Sequence, residues 1–235
     1  MKCPWCGSEK IKHDFAQTTT APYVLVELVG AKLLMVAVSL FSECECGLIF
    51  QEHTQSQEWY DWFYSSGTYR NTLGITQEEM DVDEKNRAYE ITNWLHEHNV
   101  KFQYHFDIGS SRGYFLNNTK WVFGCQIGGD ELNTSYSQLT NAPDKRVPDM
   151  VSAIHVLEHV VDPLQKLKEW TEKTSKYFLI EVPGVETCGG ALRFAHLFYF
   201  PPELLKDKLI ALGFEIIAME TKPNTRILAR KRKSI

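Results

Sequence analysis

Beyond residue 102 the chain alternates short apolar runs with stretches of helical periodicity. Residues 104–108, 150–154 and 177–182 are runs of strand length, rich in β-branched and aromatic side chains. Helical patterns start at Tyr114, at Pro163 through Lys173 and at Pro202 through Leu212, and 121–126, 214–219 and 225–229 read as further strands. Strands alternating with helices predict a doubly wound sheet. The last two strands are joined by only a few residues around Lys222-Pro223-Asn224, which suits a hairpin. The final strand is therefore expected to be antiparallel.

The first hundred residues follow a different pattern. Strand-like segments lie near 11–20, 23–29 and 33–41. The most apolar window, 23–41, carries Glu27, Gly30 and Lys32 near its middle. Charges there are costly in lipid, whereas Gly30-Ala31-Lys32 makes a turn, so a hairpin is predicted and not a membrane span. Residues 55 to about 75 are dense in aromatics and read as a helix ending in a loop at Gly67. They either pack between two units or form a lid in which Tyr60, Tyr64 or Tyr69 covers a ligand. Residues 77–99 read as an amphipathic helix with Met80, Ala88, Ile91 and Leu95 among its apolar positions. The pattern predicts a β-rich unit over 1–52, a helical linker or lid over 53–100 and an α/β unit over 101–235.

Composition narrows the functional classes. A chain of 235 residues, 43% hydrophobic, supports one core of ordinary size plus a small appendage. A formal net charge of −5 argues against a dominant polyanion-binding role, and the basic stretch 226–233 reads as a solvated last strand and terminus. The chain opens Met1-Lys2-Cys3-Pro4 and not with an apolar leader, so a cytoplasmic protein is expected. In that compartment six cysteines point to metal before disulfides. Four are clustered as two knuckles, Cys3-Pro4-Trp5-Cys6-Gly7 and Cys44-Glu45-Cys46-Gly47. Two knuckles joined by β hairpins predict a zinc ribbon, with structural Zn²⁺ held tetrahedrally by Cys3, Cys6, Cys44 and Cys46. The C-x-C spacing of the second pair is tighter than the usual C-x-x-C. His13 or His53 is an alternative ligand, and a metal-free knuckle is the other reading. Cys125 and Cys188 are isolated and read as buried small residues.

The chemistry concentrates at predicted strand ends, where doubly wound sheets bind ligands. In YHFDIGSSRGYFL, residues 104–116, a strand ends in Asp107, a loop with Gly109 and Gly113 follows, and a helix begins. The glycines admit close backbone approach, and Asp107 disfavours phosphate. This suits a ligand with positive charge and hydroxyls, such as S-adenosylmethionine. Segments 107–113, 124–130 and 155–159 are expected to converge on one cleft.

These segments make the chain resemble class I S-adenosylmethionine-dependent methyltransferases carrying an N-terminal zinc ribbon, of the type 11/23-like kind. FDIGSSRGYFL resembles their first motif, D-x-G-x-G-x-G, with Ser111 at the middle glycine. AIHVLEHVVDPLQKLKEW resembles the fourth strand and the helix after it, EVPG the fifth strand, and HLFYFPPELLKDKLIALGFEII the closing helix and strand. The resemblance implies a Rossmann-like sheet and a donor site formed by Asp107, Gly109, Ser110, Ser111, Gly113, Gln126, Ile127, His155 and Val156. Gln126 stands where an acid usually binds the ribose hydroxyls, and Asp130 is nearby to compensate. His159, then His196, are the candidate bases for acceptor activation, and Tyr69, Arg193 and His196 the candidate acceptor contacts. The implied acceptor is a small molecule or a glycan component, with no strong nucleic-acid signal and with oligomerisation left open. The alternative is a methyltransferase-like binding protein that has lost turnover.

The string His155-x-x-Glu158-His159 has three readings; in the plainest, His155 lines the donor pocket while Glu158 and His159 shape the loop by hydrogen bonds. A zinc-peptidase motif would need one helix through all five residues, yet a β run leads straight into His155. In quinone-pathway O-methyltransferases an E-x-x-E-H at this place binds a divalent cation, and here His155 replaces the first glutamate.

Overall fold

The computed structural model describes residues 1–17, 24–28, 31–35, 39–65, 76–129, 147–184 and 196–232. Strands β1 (Ile11–Gln17), β2 (Val24–Leu28), β3 (Ala31–Met35), β4 (Ser39–Cys44) and β5 (Ile49–Gln51) precede helices α1 (Gln57–Ser65) and α2 (Gln77–Glu97). Then β6 (Tyr104–Ile108), α3 (Tyr114–Phe123), β7 (Gln126–Gly129), β8 (Met150–Ile154), a 3-10 turn at Leu157–His159 and α4 (Pro163–Glu172) follow. The chain continues through β9 (Tyr177–Pro183), β10 (Phe198–Tyr199), α5 (Pro202–Ala211), β11 (Phe214–Glu220) and β12 (Asn224–Lys231).

Six strands form the main sheet in the order β11-β12-β9-β8-β6-β7. Strands β7, β6, β8 and β9 run parallel, while β12 lies antiparallel between β9 and β11, as the short 222–224 link requires. The central strands are mostly apolar because both faces are covered: β9 is buried along its whole length. Tyr177 and Leu179 belong to the core under α2 and α3, whereas Phe178 and Ile180 belong to the larger core on the other face.

Two sequence expectations need correction. Residues 121–123 are strand-like in composition but complete α3, which stops at Gly124 in the left-handed region (φ 62°). Aromatic and β-branched residues tolerate a helix end, so the β strand starts only at Gln126. The 33–41 stretch also divides between sheets: β3 pairs with β2 in the expected hairpin, and β4 pairs with β1. The Gly30 turn itself lies outside the described residues.

The N-terminal sheet runs β1-β4-β5-β10, so its last strand comes from far along the chain. Phe198 pairs with Phe50 and Tyr199 with Ile49. Trp5 packs edge-on to Phe200 at 5.2 Å, and Cys3, Leu48 and Phe50 share one buried cluster with Val151, Ile180 and Val182. The ribbon-like sheet and the main sheet thus bury apolar surface against each other. Among the described residues no helix is long and apolar enough to cross a membrane.

Candidate functional site

The turn after β6 is shaped by backbone that only small residues adopt easily. Gly109 has φ +66°, and a Cβ there would lie 2.7 Å from Val156 Cγ2. Gly113, also left-handed, caps α3 without a side-chain hydrogen bond. Ser111 has φ 47°, which explains why glycine would be at ease at this position. Its hydroxyl donates to both carboxylate oxygens of Glu84 on α2, each at 3.3 Å. Burial raises the Glu84 carboxyl above its ordinary value. Asp81, one turn earlier, forms an ion pair with Arg112. Helix α2 therefore lies along the turn and holds it through two polar pairs.

Beneath the turn runs a buried polar relay. Ser152 Oγ donates to Asp107 Oδ1 at 2.5 Å, and His105 Nε2 lies 2.7 Å from Ser152 Oγ. His105 Nδ1 is 2.9 Å from Thr119 Oγ1. The Ser152 proton goes to the carboxylate, so His105 donates from Nε2; the single Thr119 proton is shared between Nδ1 and Leu116 O, which lies 2.9 Å from Thr119 Oγ1. Burial drives the His105 pKa down to about 3, consistent with this neutral form. Asp107 is only 4% exposed and anchors the turn as much as it faces any ligand.

Strand β7 corrects the placement of Gln126 and Ile127. Gln126 pairs with Tyr104, at the start of β6, and Ile127 pairs with His105. Gln126 is exposed at the edge opposite the turn, because the strand begins later than its composition suggests. Gly129 is the residue that pairs with Asp107, so Asp130 directly follows the end of β7 that lies at the turn. Asp130 itself, with Tyr69, Cys188, Arg193 and Phe194, lies outside the described residues. So does the Tyr64 side chain. Tyr60 is buried and takes Gln55 N–H on its hydroxyl, a packing role.

The ends of β8 and β9 bring a second polar group together. His155 follows β8 with φ 53°, and its Nε2 donates to Glu181 Oε1 at 3.1 Å. Its Nδ1 is 3.3 Å from Glu158 Oε1. Burial lowers the His155 pKa, but its contacts with Glu158 and Glu181 outweigh burial and leave it raised. Arg226 Nε holds the other Glu181 oxygen at 2.5 Å. Residues 157–159 form a 3-10 turn and not a helix, so His155 and His159 do not present the peptidase arrangement. Instead His159 meets His196, with ring centroids 5.0 Å apart. One donor atom each from Glu158, His159 and His196 lie within 4.8 Å of one another. Burial raises the Glu158 pKa, but the positive charge of His159, with His155 and His196, holds it at about 2.

The cysteine knuckles meet as the sequence suggests. Cys3, Cys6, Cys44 and Cys46 place their sulfurs within 4.8 Å of one another, with Cys3–Cys46 at 3.8 Å and Cys6–Cys44 at 3.5 Å. Zn–S bonds of about 2.3 Å put tetrahedral sulfurs about 3.8 Å apart, so the residues fit such an ion. Burial pushes the Cys3 and Cys46 thiols up because it disfavours the thiolates, a cost that a bound cation would offset. His53 is not in the cluster, and the His13 side chain lies outside the described residues.

No family model and no curated protein matches the chain. Among solved structures it is similar to magnesium protoporphyrin IX methyltransferase from Synechocystis PCC 6803, solved with bound S-adenosylhomocysteine. The two are 14% identical with TM-score 0.54, over 74% of this chain and 99% of that one. It is also similar to an S-adenosylmethionine-dependent methyltransferase from Clostridium acetobutylicum ATCC 824, 10% identical with TM-score 0.50, over 71% and 100% of the two chains. At these identities the likeness shows the fold: a Rossmann-like methyltransferase sheet with its antiparallel strand inserted near one edge.

Proposed function

We propose that the protein moves a methyl group from S-adenosylmethionine to a small-molecule or glycan-type acceptor and releases S-adenosylhomocysteine. The observation that carries this reading is the glycine turn 109–113. It sits at the C-terminal end of β6 beside β8, in a sheet shared with methyltransferases. Asp107 to Gly113, with His155 and Val156, would cradle the donor. Asp130 takes over from Gln126 as the residue for the ribose hydroxyls. The reaction breaks the methyl–sulfur bond of a sulfonium and forms a bond to the acceptor. The sulfur leaves neutral, so positioning supplies most of the acceleration. The acceptor-side groups would be His159 and His196, with Tyr69 and Arg193 as further contacts.

A calorimetric titration with S-adenosylmethionine tests the donor site. Binding by wild type is expected, and Asp107→Ala should weaken it about ten- to a hundredfold, the worth of charge-assisted hydrogen bonds lost with the turn's anchor. A folded wild type that takes up no donor at millimolar concentration refutes the reading. Zinc in the four-cysteine cluster is the accompanying proposal. One zinc per chain at that site, lost in Cys3→Ser, is the expected result of elemental analysis.

A further inference from the structure

We propose that Glu84 and Arg87, one turn apart on helix α2, bind the amino-acid end of the methyl donor, Glu84 its ammonium and Arg87 its carboxylate. These roles rest on the methyltransferase reading, although neither residue belongs to a motif that the reading used. Glu84 is half-buried against the glycine turn, and its two oxygens share one hydroxyl, that of Ser111, at 3.3 Å each. One long, shared hydrogen bond compensates a carboxylate poorly. Burial raises the Glu84 pKa, and Ser111 with the charges of Arg112 and Arg87 does not bring it back to the ordinary value. A cationic N–H donor would offset that cost. Arg87 is the counterpart. Its side chain is 36% exposed, and its Nε reaches Glu181 Oε1 only at 4.0 Å. The Glu181 oxygens are taken by His155, Asn224 and Arg226 at 3.1, 3.3 and 2.5 Å. A guanidinium carries five N–H donors, so Arg87 can take a further carboxylate through two parallel bonds.

Their placement fits the polarity of the donor. Strands β7, β6, β8 and β9 lie side by side in that order. The ribose position proposed at Asp130 follows β7, on one flank of β6. Glu84 meets the turn after β6, and Arg87 meets Glu181 on β9, on the other flank. A donor with its sugar over β7 and its sulfur over the turn extends its amino-acid end toward β8 and β9, beside α2. That end is a zwitterion near neutral pH. An acid and a base three residues apart present both complementary charges on one helix face. Ser111, where the methyltransferase motif has glycine, then has a task of its own: its hydroxyl orients the Glu84 carboxylate.

Calorimetric titration of the full chain separates the parts of the ligand. The probes are S-adenosylhomocysteine, its decarboxylated analogue and 5′-methylthioadenosine, which share the nucleoside and a neutral sulfur. Wild type should bind S-adenosylhomocysteine at least about tenfold tighter than 5′-methylthioadenosine. Arg87→Gln should weaken S-adenosylhomocysteine about ten- to a hundredfold and leave the decarboxylated analogue unchanged. Glu84→Gln should weaken both amine-bearing ligands by a similar factor and leave 5′-methylthioadenosine unchanged. Arg87→Lys and Glu84→Asp, with smaller losses in the same pattern, serve if the glutamine variants fail to fold. A wild type that binds 5′-methylthioadenosine as tightly as S-adenosylhomocysteine overturns these roles alone. So do folded variants that keep full affinity for S-adenosylhomocysteine, or that lose all the probes equally. A folded wild type that binds none of the probes sinks the methyltransferase reading, and these roles with it.

Discussion

His105 shows how one buried side chain sets a pH dependence. Its folded-state pKa is about 3 against an ordinary 6.5, because burial disfavours the charged ring. Above pH 6.5 both folded and unfolded states are neutral there, and stability is fully present. As pH falls toward 3 the unfolded chain takes a proton that the folded one refuses, so stability drops by up to about 1.4 kcal/mol per pH unit. Denaturant titrations across this window should show that slope, and His105→Gln should be flatter by up to that amount. Gly129 makes a separate prediction. An added Cβ would lie 2.6 Å from Ser110 Oγ and 2.8 Å from Ser110 Cβ. Gly129→Ala should destabilise by about 1–3 kcal/mol and weaken donor binding through the displaced turn. An unchanged melting temperature and donor affinity would contradict it. Motif comparison points to glycines inside the turn. It does not reveal that a glycine on the neighbouring strand makes room for Ser110.

Helix α2 connects local sequence to the candidate donor site. Thr76 and Glu79 form a capping box: Thr76 Oγ1 accepts from Glu79 N–H, and the Glu79 carboxylate accepts from Thr76 N–H. Asp81, Glu84 and Arg87 follow at helical spacing, and their partners are Arg112, Ser111 and Glu181. Thr76→Ala should cost about 1 kcal/mol of stability in chemical denaturation and loosen the first turn, which leads into Asp81. The apolar positions Ala88, Ile91 and Leu95 make this helix readable, because side chains three and four residues apart fall on one face only when the backbone is helical. The same logic fails at 121–126. Three aromatic and β-branched residues fit a strand as well as a helix end, and Gly124 decides between them only through its left-handed conformation.

Across the molecule, the N-terminal sheet is joined by backbone to the segment that carries His196. Gln51 N–H donates to Leu197 O at 2.9 Å, and β10 extends the sheet beside β5. Phe41 then meets Tyr199, whose ring lies 5.6 Å from His196. Loss of the zinc proposed for the cysteine cluster should therefore be felt at His196. Chelation, or Cys3→Ser, is expected to lower the melting temperature and to reduce turnover at least tenfold, while donor affinity changes less. Equal loss of both, or of neither, would show that the sheet does not position the acceptor side.

Much of this fold is legible in the chain because it depends on local pattern. Strands 104–108 and 150–154 are bounded by the same residues in the structure, since buried parallel strands are short, mostly apolar runs whose few polar members, here His105, Asp107 and Ser152, pair with one another. The glycine turn, the cysteine knuckles and the antiparallel last strand also follow from short spacings. Three features do not. The register of β7, which moves Gln126 away from the turn, depends on pairing with β6. The two-residue strand β10 is too short to leave a periodic signal. The meeting of Glu158 and His159 with His196 joins chain positions separated by an entire strand and loop. Contacts between residues remote in the chain come from packing and burial, which no local window of sequence encodes.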